Sequence, residues 1–256
     1  MRLRNFVGTA LLGAGAVATA NVGLRHREPL ESPLDGDEGT YHWRGMDVAY
    51  TEAGDPDDPD LVLLHGINAA GSSGEWRAVF DDLATDHHVI APDLPGYGRS
   101  DRPPLRYSAA LYEDFVADFL ATFETPAVVA SSLSAAYTAA AADTTGASGE
   151  GVTLGGFVGV CPTAVAGPSP PKPWVRELLR APLVGEAAFN LLASKPSIRY
   201  FNADHGYYAE DAPSSAWIDY EWRTTHVENA RFAPASFISG FLNSDLDLAG
   251  ALRALT

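Results

Sequence analysis

Ser132 stands in the run A-V-V-A-S-S-L-S-A-A (residues 127–136), where a short β-branched apolar stretch gives way to small residues and then to a helix-forming alanine tract. A strand that turns abruptly into a helix holds out the side chain at the turn, and a hydroxyl held there is placed for nucleophilic attack. A serine hydroxyl attacks only when a base takes its proton, and the oxyanion that forms needs N–H donors already aimed at it. Ser134 is a second register, with Ser132 and Ala136 two residues to either side. A third reading is an ordinary serine-rich helix start with no chemistry.

The segments around this run are of the kind that could position it. Leu61 to Leu64 are four apolar residues in a row, the pattern of a strand buried on both faces, and they end in His65-Gly66. V-I-A-P-D-L-P-G-Y-G-R-S-D-R-P (residues 89–103) begins as another strand and breaks into a Gly-rich turn. Residues 41–44 and 46–52 read as two short strands around Gly45, and residues 54–60 as a Pro/Asp loop. The spacing predicts helices over residues 76–84 and from Ser108, a candidate cap, with Leu111, Phe115, Phe119 and Leu120 in one stripe. Residues 152–160 read as a further buried strand, with Cys161 a small buried hydrophobe at its end. Strands alternating with helices imply a mainly parallel sheet. From Pro162 the alternation stops, and Pro/Gly turns and helical pieces carry Trp174, Trp217 and Trp222.

The three strand ends, in this order and spacing, resemble the α/β-hydrolase family from about Tyr41 onward. The resemblance implies an α/β fold with a mostly parallel central sheet flanked by helices and an inserted helical cap. It divides the chain into an N-terminal segment (residues 1–27), an acidic linker (28–40), the core (41–161), the cap (162–244) and a helix re-entering the core (245–256). In the family the serine turn usually reads G-x-S-x-G. Here Ala130 and Ser134 occupy the glycine positions, each adding at least a Cβ at a crowded point. The resemblance makes Ser132 the nucleophile and the backbone N–H groups of Ile67 and Leu133 the oxyanion hole. His65 and Gly66 then support the oxyanion loop, Asp93 braces a turn rather than acting as the acid, and Asn68 and Trp76 lie near the pocket mouth. The reaction implied is hydrolysis of an ester-like or similar acyl bond in a small, fairly apolar substrate. It needs neither metal nor organic cofactor.

The family's catalytic acid and histidine come after the cap, from two final strands expected to be missing here, so the chain is expected to be a weak or inactive fragment. His26 and His42 lie before the core, His87 and His88 at the wrong end of a strand, and His205 and His226 in the cap. The alternative function is a non-catalytic hydrolase-like binding or partner module. A haloperoxidase-like or carbon–carbon bond-cleaving reaction is a third, since fold does not fix chemistry.

The 256 residues carry a net charge of −16, and a field of that sign repels nucleic acid. The first 27 residues hold four Arg and no acid, whereas the other residues hold 13 Lys and Arg against 33 Asp and Glu. Lys172 and Lys195 are the only lysines, and D-P-D-D-P-D (residues 55–60) is one of several acidic loops, a balance suited to high salt. With one cysteine there is no intrachain disulfide. The uncharged run over residues 5–24, flanked by arginines, is expected to form a membrane anchor, with a cleaved export signal and an interfacial helix as rivals. The protein is accordingly expected at a membrane through its N-terminus, or exported.

Overall fold

The structure is a computed structural model that describes residues 2–142, 151–207 and 213–255, with side chains described outside residues 2–12, 205 and 206. Six strands form one sheet: β1 (Asp37–Trp43), β2 (Met46–Ala53), β3 (Asp60–Leu64), β4 (His88–Pro92), β5 (Ala127–Ser131) and β6 (Gly156–Val160). Their order is β1-β2-β4-β3-β5-β6. β1 pairs antiparallel with β2 and β2 with β4, while β4, β3, β5 and β6 run parallel. The helices are α1 (Arg2–Leu24), α2 (Phe80–Leu83), α3 (Ala109–Leu120), α4 (Leu133–Ala142), α5 (Pro173–Arg180), α6 (Val184–Leu192), α7 (Lys195–Phe201), α8 (Ser215–His226), α9 (Phe232–Ile238) and α10 (Leu248–Ala254). This mixed sheet flanked by helices is the fold class implied by the resemblance.

The core follows from the apolar runs. Leu61 to Leu64 are buried on both faces of the sheet centre, Leu61 and Leu63 on one side and Val62 and Leu64 on the other. Ser108 caps α3 by accepting the Leu111 N–H at 3.3 Å. That helix then presents Tyr112, Phe115, Val116, Phe119 and Leu120 to the core. Burying each such side chain contributes about 1.5–3 kcal/mol. The chain after α9 packs onto α3 and α4: Tyr137 Oη donates to Leu242 O at 2.6 Å, and Ser244 Oγ to Glu113 Oε1 at 2.6 Å.

Several expectations change at the edges. The stretch from Trp76 is not one helix but a 3-10 turn (Ser73–Trp76) followed by the short α2. The acidic linker packs: Leu34 is buried beside Leu61 and Trp76, and residues 37–40 belong to β1, because pairing with β2 outweighs their polarity. β6 is an exposed edge strand, with Val158 56% exposed, and Cys161 beyond it is exposed rather than buried. No strand pairs with the outer side of β6 among the described residues.

The expected membrane association through the N-terminus is corrected. The run does form α1, but no helix among the described residues is long and apolar enough to cross a membrane. Gly, Ala, Thr and Asn dilute the large apolar residues, and small residues contribute little to membrane transfer. Its C-terminal end lies against α6. The Asn21 amide donates to Leu183 O at 2.9 Å, Arg25 pairs with Glu186 at 2.8 Å, and the His26 N–H donates to His226 O at 2.8 Å.

Candidate active site

β5 ends at Ser131 and α4 begins at Leu133, so a single residue makes the strand-to-helix turn. That residue is Ser132, with φ of +54°. The left-handed region is unfavourable for a residue with a Cβ, so the surroundings must hold it there. They do so from both sides. The Ser132 N–H donates to Val160 O at 2.9 Å, and Ser132 O accepts the N–H of Thr163 at 3.2 Å and of Ala135 at 3.2 Å. Ser131 is buried and Ser132 partly exposed. The side chain at the turn is thus the one that reaches solvent.

Ser134 has a different place. It is fully buried on the first turn of α4 and donates its hydroxyl to His65 O at 2.6 Å. That bond ties the helix start to the loop after β3. His65 is also buried and both of its ring nitrogens are engaged: Nε2 accepts the Leu94 N–H at 3.0 Å, so Nδ1 carries the proton and donates to Gly66 O at 2.9 Å. With no lone pair free, this imidazole holds backbone and moves no proton.

The loops after β3 and β5 therefore sit side by side, carrying Ile67 and Leu133, both buried. Neither residue's N–H donates to a protein acceptor among the described residues. For Leu133 this follows from its place, since the first N–H groups of a helix have no intrahelical partner. Two unengaged donors beside a serine are the groups an oxyanion would need.

Asp93 has no exposed surface. Its Oδ1 accepts the Ser73 N–H at 2.7 Å, and its Oδ2 accepts Arg99 N and Nε, each at 3.0 Å. Gly98, at φ of +49°, comes so close that a Cβ would lie 2.1 Å from the Asp93 carboxyl carbon. Asp93 thereby organises the Gly-rich turn, and its oxygens face N–H groups rather than a histidine. Trp76 is buried, and the Asn68 carboxamide oxygen accepts the Ala70 N–H at 2.7 Å within its own loop.

The other histidines lie elsewhere. His42 pairs with Asp47, His88 with Asp60 and Glu52, and His87 faces Leu83 O. His226 stacks on Trp222 and contacts its carbonyl, and burial lowers its pKa. The His205 side chain is outside the described residues. Among the described side chains no imidazole or carboxylate hydrogen-bonds Ser132, and no cluster of metal-ligating groups is present.

One residue near the serine was not marked by the sequence. Glu75, in the 3-10 turn, accepts the Gly66 N–H at 2.6 Å through Oε2. The only signal in the sequence was an acid directly before Trp76 in S-S-G-E-W, which gives no indication that the turn folds back on Gly66.

A model of the Alpha/beta hydrolase family matches residues 61–254. The chain is 40% identical over 63 residues to a haloalkane dehalogenase of Bradyrhizobium diazoefficiens, 25% of this chain and 20% of that one. It is 38% identical over 65 residues to the 2-hydroxy-6-oxo-6-(2'-aminophenyl)hexa-2,4-dienoic acid hydrolase of Metapseudomonas resinovorans, 25% of this chain and 22% of that one. The matched stretches span about a fifth of the curated relatives' own length. Among solved structures, the 2-hydroxy-6-oxo-6-phenylhexa-2,4-dienoate hydrolase of a Rhodococcus species is similar with a TM-score of 0.60 at 18% identity, covering 86% of this chain and 74% of that one. At that identity the likeness concerns the fold.

Proposed function

Because this chain belongs to the α/β-hydrolase family, we propose that Ser132 is the nucleophile of a hydrolase acting on an ester-like or similar acyl bond in a small, fairly apolar molecule. The observation that carries this reading is the φ of +54° at Ser132, a strained turn held between β5, α4 and the end of β6. Strain of this kind persists where the surroundings over-determine it, and the N–H groups of Leu133, next in the chain, and of Ile67 are without an acceptor among the described residues. In the reaction, Oγ bonds to the acyl carbon while its proton passes to water or a solvent base, since no described imidazole or carboxylate hydrogen-bonds Ser132. The carbonyl oxygen, now negative, would lie against the N–H groups of Ile67 and Leu133. The C–O bond to the alcohol then breaks, the leaving oxygen takes up a proton from solvent, and water adds to the acyl-serine to release the acid.

Turnover of short-chain aryl esters tests the assignment. Ser132→Ala should lower it at least about 100-fold, the order expected on losing a nucleophile. Undiminished turnover in that variant would overturn the reading. A second reading, a hydrolase-like binding module, is favoured by the lack of any described base hydrogen-bonded to Ser132. It would gain if the parent chain bound acyl compounds without turning them over.

A further inference from the structure

Gly66 separates the candidate nucleophile from a carboxylate. A Cβ at Gly66 would lie 3.4 Å from Glu75 Oε2, 3.4 Å from Ser132 Cβ and 3.1 Å from Ser131 Oγ. The carboxylate and the serine thus both border the space that a side chain at Gly66 would fill, as does the Ser131 hydroxyl. The Gly66 N–H to Glu75 bond of 2.6 Å fixes the carboxylate in that place. Glu75 is exposed and in no ion pair with a Lys, Arg or His among the described residues. Arg77, two residues on, is turned to the cap, with its guanidinium 3.9 Å over the Trp217 ring and bonded to Tyr207 Oη at 2.5 Å. No cationic side chain among the described residues therefore neutralises Glu75.

Building on the reading of Ser132 as nucleophile, we propose that Glu75 makes this site select acyl substrates that carry a positively charged group, such as an alkylammonium, close to the scissile carbonyl. A fixed carboxylate beside the oxyanion hole opposes the second negative charge that forms during attack on a neutral substrate. A cation on the substrate is attracted to Glu75 both on binding and during attack. The preference therefore appears in the second-order rate constant, through tighter binding of the cationic substrate. For unit charges about 5 Å apart and screened almost as in bulk water, this is a factor of about three to ten at low salt.

The test compares two fluorophosphonates of equal size, one ending in trimethylammonium and one in tert-butyl. Each labels serine by forming an Oγ–P bond and expelling fluoride, and the adduct is followed by intact mass. The cationic probe should label the parent chain about three- to tenfold faster. That ratio should fall to near one in Glu75→Gln, which keeps an acceptor oxygen for Gly66. The surface change Glu124→Gln controls for overall negative charge and should leave the ratio as it was. Equal rates in the parent chain, or a preference equally lost in Glu124→Gln, would overturn the proposal. If neither probe labels Ser132, the nucleophile reading fails by itself. Charge selection is then read from tetramethylammonium binding by NMR, weaker in Glu75→Gln if the proposal holds and equal if it does not.

Discussion

Asp93 shows how one side chain can organise a site it does not enter. Fully buried, it receives two backbone N–H groups and the Arg99 guanidinium, and Arg99 in turn reaches Glu38 and Thr51. Removing one partner of a buried ion pair leaves the other uncompensated, so Asp93→Ala should destabilise the fold by about 3–5 kcal/mol, seen as a lower urea midpoint. An unchanged midpoint would contradict this role. Features set by chain-local geometry, such as the strand-to-helix turn at Ser132 after a β-branched run, were legible in the sequence. Glu75 was not, because its meaning comes from the fold of a loop that brings it back onto Gly66. Cys161 was misread for a related reason. Its position at a strand end was legible, but the burial usual for a free cysteine fails at this outer edge, beyond which no strand pairs among the described residues.

Elements carry the next level of the argument. Among the described residues, α4 is tied to the loop after β3 by the Ser134 to His65 bond. Ser134→Ala should cost about 1 kcal/mol of stability and slow labelling at Ser132 without abolishing it. Complete loss of labelling with an intact fold would instead favour Ser134 as the reactive group. On α8, burial pushes the Glu221 carboxyl up to about 7, against the opposing effects of the Asn202 amide and Arg77. Between about pH 4.5 and 7 the unfolded chain loses this proton while the native one keeps it, so stability should fall as pH rises, by at most about 1.4 kcal/mol per unit. Glu221→Gln should flatten that slope, as chemical denaturation across the range would show. The strands and α3 were legible because apolar runs and stripes set them locally. The linker was not, since Leu34 is buried only through contacts made after folding.

At the scale of the whole molecule, charge and edges dominate. With a net charge of −16 the native state repels itself, and salt screens this over about 10 Å at 0.1 M and about 3 Å at 1 M. Thermal unfolding should therefore move to higher temperature as sodium chloride rises over that range; a falling midpoint would contradict the charge argument. The β6 edge exposes Val158 and Val160 beside unpaired backbone, a template for pairing with another chain. Val158→Lys should lower the association seen by light scattering. The proposed function rests on the turn at Ser132, and its most direct test is peptide mapping after reaction with a neutral fluorophosphonate. The account predicts a phosphonyl adduct on Ser132 that disappears in Ser132→Ala. A folded chain that takes up no label, or takes it up at Ser131 or Ser134 instead, would contradict it.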